Sequence, residues 1–164
     1  MRLGTRRLRI SPLGSDDLAA FVAYRREPEV ARYQSWDTGY SLADGALLVA
    51  EQPTGELPAA GEWLQLALHA TEDGRLVGDV AVHRLADRDD TFELGVTLAP
   101  AEQGRGFATE GLGAVVDALF ARHGAREVIA ECDPANTAVQ ALLERIGMRR
   151  IARDAAGDRY ALRR

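Results

Sequence analysis

The stretch that decides the fold is Gln103-Gly104-Arg105-Gly106-Phe107-Ala108-Thr109-Glu110. It lies between a strand-like run at residues 92–98 and a helix-like run at residues 108–122. Glycines in a turn that opens a helix let the backbone approach a ligand closely, and the first amides of the helix have no partner within the helix. These amides lie at the positive end of the helix dipole. The pattern therefore predicts an anion site, and the usual anion at such a site is a phosphate.

The composition is that of an ordinary soluble globular protein. The chain has 164 residues, of which 46% are hydrophobic and 27% charged, and this length predicts one domain over residues 1–164. The sequence contains no apolar run of about 18 residues, so we expect no membrane span. The basic start at residues 1–7 is not followed by the apolar segment of a secretory signal. We therefore expect a cytoplasmic protein.

The charged and polar residues exclude several kinds of chemistry. A net charge of −5 argues against general nucleic-acid binding and is compatible with a cationic acceptor. All 20 basic residues are arginine, which excludes Schiff-base chemistry and a Walker-type lysine. The single cysteine, Cys132, excludes an intrachain disulfide and a cysteine zinc cluster. His69, His83 and His123 lack metal-ligand spacing, so we expect no metal site.

The apolar periodicity predicts an α+β chain. Strands are predicted at residues 8–13, 63–70, 75–85, 91–98 and 127–131 and around a turn at residues 155–157, and helices at residues 15–27, 41–52, 108–122 and 136–146. Asp73-Gly74 is typical of a hairpin turn, so the second to fourth strands form an antiparallel meander. This order predicts a mixed sheet rather than a series of βαβ units.

Two segments of the second half carry a resemblance. Gln103-x-x-Gly106-x-Ala108 matches a Gln/Arg-x-x-Gly-x-Gly/Ala signature, and residues 136–148 resemble an Asn-x-x-Ser/Ala … Leu-Gly-Phe segment with Met148 in place of Phe. Both patterns belong to the GNAT superfamily of acyl-CoA-dependent N-acetyltransferases. Residues 7–10 and 28–33 resemble the branch of this family that acetylates protein N-termini, including those of ribosomal proteins. The resemblance implies a three-layer fold, with a mixed, mostly antiparallel twisted sheet and helices on both faces.

The resemblance also implies that acetyl-CoA is the co-substrate. The glycine loop would wrap its pyrophosphate through the main-chain amides of Gln103, Gly104, Arg105, Gly106, Phe107, Ala108 and Thr109. The side chain of Arg105 either adds a charged contact or is simply solvated. The strand at residues 91–98 is expected to diverge from the strand at residues 127–131. The gap would accept the pantetheine arm along Val96, Thr97 and Leu98.

Asn136 and Glu93 are the remaining residues with an implied role toward the co-substrate or the reaction. Asn136 matches a position that contacts the cofactor arm, and asparagine is also a common helix N-cap. Glu93 shares a strand face with Gly95 and Thr97 and matches a frequent glutamate of the family. We expect Glu93 to be the general base that takes the amine's proton, directly or through a water. A strand glutamate is also often a plain solvent-facing charge.

The sequence departs from the family in two places. Many members carry a tyrosine seven residues after the asparagine, and this position is Leu143. Cys132, Thr137, Tyr160 or water are the alternatives for protonating the thiolate, which is stable enough to leave without a dedicated acid. The second departure is a tight turn at residues 154–158 in place of a longer segment, which predicts a more open acceptor groove.

Residues 33–37 are expected to form the other wall of that groove. Tyr33 and Trp36 are the candidate acceptor-binding residues, and Trp36 is alternatively a core aromatic. The acceptor itself is a primary amine, either a protein N-terminus or a small molecule. A monomer or a homodimer is expected.

Two other functions are consistent with parts of the pattern. Gly104-x-Gly106-x-x-Thr109 resembles a dinucleotide-binding fingerprint, but its third glycine is missing and an antiparallel meander precedes it. A non-catalytic acyl-CoA sensor or interaction module is the second alternative, because Leu143 replaces the usual phenol. We expect an acetyl-CoA-dependent N-acetyltransferase.

Overall fold

A mixed sheet of eight strands organises the computed structural model, which describes residues 1–155 and 157–164. The strands are β1 (Leu3–Gly4), β2 (Leu8–Pro12), β3 (Trp63–Ala70), β4 (Leu76–Arg84), β5 (Thr91–Leu98), β6 (Glu127–Cys132), β7 (Arg149–Asp154) and β8 (Gly157–Arg163), and the helices are α1 (Leu18–Arg25), α2 (Pro28–Ala31), α3 (Leu42–Ala50), α4 (Phe107–Arg122) and α5 (Thr137–Arg145). The order in the sheet is β1-β2-β3-β4-β5-β6-β8-β7. The β5–β6 pair is parallel and the other pairs are antiparallel. The predicted mixed, mostly antiparallel sheet is confirmed.

Helices cover both faces of the central strands. On one face α4 packs on β2, β4 and β5, and its leucines share one apolar core with Leu64, Leu66 and Leu68 of β3. On the other face α1 contributes Phe21 to a second core that includes Ala67, and α3 packs on α1. Successive side chains of a strand point to opposite faces, so β3 is buried on both sides. The predicted three-layer α+β fold is confirmed.

The predicted element boundaries agree with the structure best in the strands and the helix that form the core. β3 and β5 span the predicted residues 63–70 and 91–98, and α4 begins one residue before the predicted residue 108. The helix predicted at residues 15–27 opens instead with a 3-10 turn at Ser15–Asp17 and ends at Arg25, because Pro28 starts a separate helix. The sequence gives no signal for the two-residue strand β1. The turn predicted at residues 155–157 contains Ala156, which lies outside the described residues.

Two glycines in α4 have different surroundings. A Cβ atom on Gly111 would lie 3.0 Å from Leu68 Cδ1 and 3.3 Å from Leu8 Cδ1, so this glycine allows the helix to pack closely on the sheet. A Cβ atom on Gly113 would meet no heavy atom of the described residues within 4 Å. Close packing therefore explains Gly111 and does not explain Gly113.

This difference predicts opposite effects of filling the two positions. Gly113→Ala should raise the free energy of unfolding by about 0.5–1 kcal/mol, because alanine favours the helix and has room for its methyl group. Gly111→Val should lower it by about 1–3 kcal/mol, because the added methyls must displace buried leucines. Urea unfolding followed by circular dichroism measures both changes. Equal effects of the two substitutions would contradict this account of the helix–sheet contact.

Candidate active site

A gap opens in the middle of the sheet where two parallel strands separate. β5 and β6 are paired from Thr91 and Glu127 to Glu93 and Ile129, and the pairing ends there. β5 continues to Leu98 along β4, while β6 continues to Cys132 along β8. The divergence expected between these strands is confirmed, and it leaves one edge of β5 facing a cleft.

A cavity of about 70 Å³ occupies this cleft. Its floor is apolar and includes Leu94, Leu112 and Leu143, and its rim is polar. The full lining consists of Tyr33, Gln34, Leu94, Gly95, Val96, Leu112, Ala130, Glu131, Cys132, Asp133, Asn136, Val139 and Leu143. The structure thus brings together Tyr33, Val96 and Asn136, which the sequence predicted as site residues. Thr97 and Leu98 follow Val96 on the same strand.

A larger groove of about 480 Å³ lies elsewhere, between β1–β2 and the C-terminal half of α4. It is open, and its lining includes Arg2, Arg9, Arg122 and small apolar residues of the helix. The smaller cavity is the better candidate site, because the strands diverge there and only a 3-10 turn at Pro100–Glu102 separates β5 from the glycine loop.

The glycine loop has the geometry of an anion site. Gly104 has φ +73° and Gly106 has φ +82°, in the left-handed region that favours glycine. Residues 103–106 are exposed. The N–H of Glu110 bonds to the carbonyl of Gly106 at 3.1 Å, so the amides of Phe107, Ala108 and Thr109 precede the helical hydrogen bonds. The loop therefore presents main-chain donors at the positive end of α4.

A buried carboxylate fixes the first half of this loop. Glu102 is 8% exposed, and it accepts a bond from Arg75 Nε at 2.9 Å and one from Arg105 Nη1 at 2.6 Å. The bond from Arg75 holds the pKa of Glu102 below its usual value. The guanidinium of Arg105 is thus engaged with Glu102, and a contact of Arg105 with an anionic ligand stays a prediction.

A second carboxylate ties the start of α4 to the N-terminal strands. Glu110 Oε1 accepts bonds from the main-chain N of Arg7 at 2.8 Å and from Thr5 Oγ1 at 2.6 Å, and Glu110 Oε2 accepts one from Arg7 Nε at 2.7 Å. Arg7 Nη1 also donates to the carbonyl of Arg105 at 2.9 Å. Burial raises the pKa of Glu110, but the bonds from Thr5 and Arg7 outweigh burial and the pKa lies below its usual value. Sequence reasoning missed this cluster.

Asn136 is a helix N-cap that also lines the cleft, and its contact with the cofactor arm stays a prediction. Its Oδ1 accepts from the N–H of Val139 at 3.3 Å, as a helix N-cap does, and the residue also lines the cleft. Another contact found only in the structure lies on α5, where Arg145 Nη1 reaches Thr109 Oγ1 at 3.5 Å. A cation on α5 is therefore close to the amides that open α4.

The candidates for a general acid have different surroundings. Leu143, at the position of the family's tyrosine, is buried in the cleft floor. Tyr160 belongs to β8, and its side chain is fully buried in the core. Cys132 is half-buried in the cleft wall, and burial raises the pKa of its thiol. Thr137 is exposed at the start of α5. Burial raises the pKa of Tyr160 as well.

Glu93 lies at the last rung of the β5–β6 pairing, next to the cavity. It is half-buried, and its Oε2 is 3.1 Å from Nδ1 of His83 on β4. His83 in turn stacks on Trp63 of β3, with ring centroids 4.4 Å apart. The cavity lining includes the next residues of β5, Leu94 and Gly95, but not Glu93 itself, so the role of Glu93 as a base stays a prediction.

The two aromatic candidates of the acceptor wall differ. Tyr33 lines the cleft. Trp36 packs on the guanidinium of Arg25 at 3.7 Å and donates from Nε1 to the carbonyl of Arg25 at 3.3 Å. Arg25 is itself buried, and its Nη2 lies 3.6 Å from Asp79. Trp36 therefore anchors residues 33–40 to α1, which is the core-aromatic alternative, and a contact of Trp36 with an acceptor stays a prediction.

Two further features concern metal ions and membranes. Within residues 1–155 and 157–164, no group of three or more His, Cys, Asp and Glu residues is arranged to hold a metal ion. His69 is bound to Asp17 at 2.7 Å instead. No helix of the described chain has the length and apolarity needed to cross a bilayer.

Comparison with known proteins shows which family the chain belongs to. The family model described as acetyltransferase (GNAT) domain matches residues 7–149. The uncharacterized N-acetyltransferase YnaD of Bacillus subtilis is 25% identical over 150 residues, which is 92% of this chain and 84% of the relative.

Solved structures show the same fold. A GNAT-family acetyltransferase from Bacillus anthracis superposes with a TM-score of 0.84 at 22% sequence identity. The match covers 99% of this chain and 98% of the Bacillus anthracis chain. Spermidine N-acetyltransferase from Vibrio cholerae, solved with CoA and spermine, has a TM-score of 0.81 at 15% identity and covers 97% of this chain and 96% of its own.

The Glu110 cluster predicts a pH-dependent contribution to stability. The pKa of Glu110 in the folded state is lowered from 4.5, so its bonds contribute fully above pH 4.5 and are lost as the pH falls through the folded-state pKa. Glu110→Gln should lower the free energy of unfolding by about 1–3 kcal/mol at pH 7. The difference from wild type should shrink below pH 4.5. Urea unfolding at a series of pH values measures it, with exposed Glu72→Gln as the control. A difference that is constant with pH would contradict the assignment.

Proposed function

Because the chain belongs to the GNAT acetyltransferase family, we propose that it transfers the acetyl group of acetyl-CoA to a primary amine. The acceptor is a protein N-terminus or a small-molecule amine, which attacks the thioester directly. One observation carries the proposal. The edge of β5 that is free after Glu93 is followed, after one 3-10 turn at Pro100–Glu102, by the exposed glycine loop at residues 103–106.

The residues of the cleft fit the parts of acetyl-CoA. The amides of residues 103–109 would bind the pyrophosphate, since residues 103–106 are exposed and Phe107, Ala108 and Thr109 form the first turn of α4, at the positive end of its dipole. The free edge of β5 at Val96, Thr97 and Leu98 offers main-chain groups to the amides of the pantetheine arm, as an added strand does. Asn136 reaches the same cleft from α5.

The acceptor side of the cleft fits an amine. Exposed Glu131 and Asp133 lie in its wall, and the net charge of −5 favours the approach of a cation. Tyr33 contributes an aromatic surface to the same wall. Glu93 would take the proton that the amine loses during attack, directly or through a water. Water would protonate the departing thiolate, because Leu143 occupies the place of the family's phenol.

The rest of the proposal concerns the protein as a whole. Residues 1–164 act as one acyltransferase domain, as a monomer or a homodimer. The transfer requires proximity and a proton acceptor rather than a metal ion. The charge and fold are consistent with a cytoplasmic protein that does not bind nucleic acid or a membrane.

The glycine loop predicts a selective loss of CoA affinity. Gly106→Ala should lower the affinity for CoA at least about tenfold, because a Cβ atom at φ +82° strains the loop and displaces its amides. Gly74→Ala is the matched control, since Gly74 has φ +77° in the β3–β4 turn. Isothermal titration calorimetry with CoA measures both variants. If wild type gives no heat with CoA, or if the two variants lose affinity equally, the proposed pyrophosphate site is wrong.

The proposed base predicts a loss of turnover. Glu93→Gln should lower kcat about 100-fold or more and flatten the rising limb of the pH profile, while the KM for acetyl-CoA changes little. Release of free thiol from acetyl-CoA, measured across a panel of amines and N-terminal peptides, identifies the acceptor and then the rate. Glu72→Gln is the comparison, because that carboxylate is exposed in the β3–β4 turn, away from the cleft. CoA binding without thiol release on any acceptor would instead support the sensor alternative.

A further inference from the structure

Three side chains form a row across the face of the sheet that is opposite α4. Trp63 on β3 is in register with His83 on β4, and His83 is in register with Glu93 on β5. Cross-strand neighbours in register lie on the same face and within side-chain contact. The row therefore ends at the carboxylate proposed as the base, beside the point where β5 and β6 separate.

The contacts within the row restrict the imidazole on two sides. Trp63 stacks on the ring at 4.4 Å with an interplanar angle of 11°, so the ring cannot rotate freely about χ2. Nδ1 of His83 then lies 3.1 Å from Glu93 Oε2. Trp63 itself remains 47% exposed, so its ring covers the imidazole rather than filling the core. Stacking thus aims the imidazole nitrogen at the carboxylate.

From this geometry we propose that His83 is a positioning residue for Glu93 and that Trp63 holds His83 in place. The inference rests on the proposed role of Glu93 as the base. The Nδ1–H of His83 donates to Oε2 and fixes the plane of the carboxylate, which leaves Oε1 for the proton of the acceptor. A base held in one orientation loses less entropy when it meets its substrate.

The surroundings of the pair keep the carboxylate accessible. The side chains of His83 and Glu93 are 19% and 26% exposed, so both can be reached by solvent. Arg159 on β8 interacts electrostatically with Glu93, but its guanidinium is bound to Glu131. The same sheet face carries a second histidine–carboxylate pair, His69 with Asp17, away from the cleft. This second pair provides a matched control.

The test compares variants that keep or remove the donor. His83→Asn keeps an N–H near the position of Nδ1, and His83→Leu removes it. We expect His83→Leu to lower kcat about 10- to 100-fold with the KM for acetyl-CoA within about twofold, and His83→Asn to retain kcat within about threefold. Trp63→Leu should give an intermediate loss, and His69→Asn should leave kcat unchanged. In a Glu93→Gln background, His83→Leu should have no further effect.

The outcomes separate the inference from the function it rests on. If Glu93→Gln is impaired and His83→Leu turns over like wild type, the positioning role is wrong and the base remains. If Glu93→Gln turns over like wild type, the base is wrong. A readout without activity is the tautomer of the His83 ring, measured by 15N NMR in wild type and in Glu93→Gln. A changed tautomer in the variant supports the pair, and an unchanged ring spectrum overturns it.

Discussion

The site depends on a single constraint, which is that two parallel strands are paired at one end and held apart at the other. β4 holds β5, and β8 holds β6, so each strand stays straight after the pairing ends at Glu93 and Ile129. An unpaired strand edge normally invites association with another chain. In this fold the edge lines a cleft whose floor includes Leu94, Leu112 and Leu143. The backbone groups that the sheet leaves unpaired on this edge are therefore available to the proposed ligand.

Arginine–carboxylate contacts hold the loop that completes the cleft. Glu102 binds Arg75 and Arg105, and Glu110 binds Arg7, so both sides of the glycine turn are fixed to other elements. Such bonds are planar and directional, which makes them suited to orienting a turn. Exposed ion pairs contribute little to stability by themselves, but these carboxylates are largely buried. The loop is therefore held in one conformation before the proposed anion binds.

Local signals in the sequence account for the fold and for the predicted residues that line the cleft, which are Tyr33, Val96 and Asn136. Residues 63–70 and 91–98 are legible as strands because they are apolar runs bounded by turns, and Gly104 and Gly106 mark the loop because other residues disfavour a positive φ. The contacts of Arg7 with Glu110 and of Trp36 with Arg25 were missed. Such pairs depend on how segments that are distant in sequence meet in the fold, and a periodic sequence pattern does not predict these contacts. The pairing of His83 with Glu93 was missed as well, because it needs the register of the hairpin.

The position of β8 has a consequence for how the chain reaches this state. β8 is the last strand in the sequence, yet it lies between β6 and β7 and pairs with both. During synthesis on the ribosome, β6 must wait for residues 157–163 before its second edge is satisfied. The wall of the cleft formed by β6 is therefore completed only after residues 157–163 have been synthesised. Nascent chains that stall before that point leave one edge of β6 unpaired, and such an edge favours chaperone binding and aggregation.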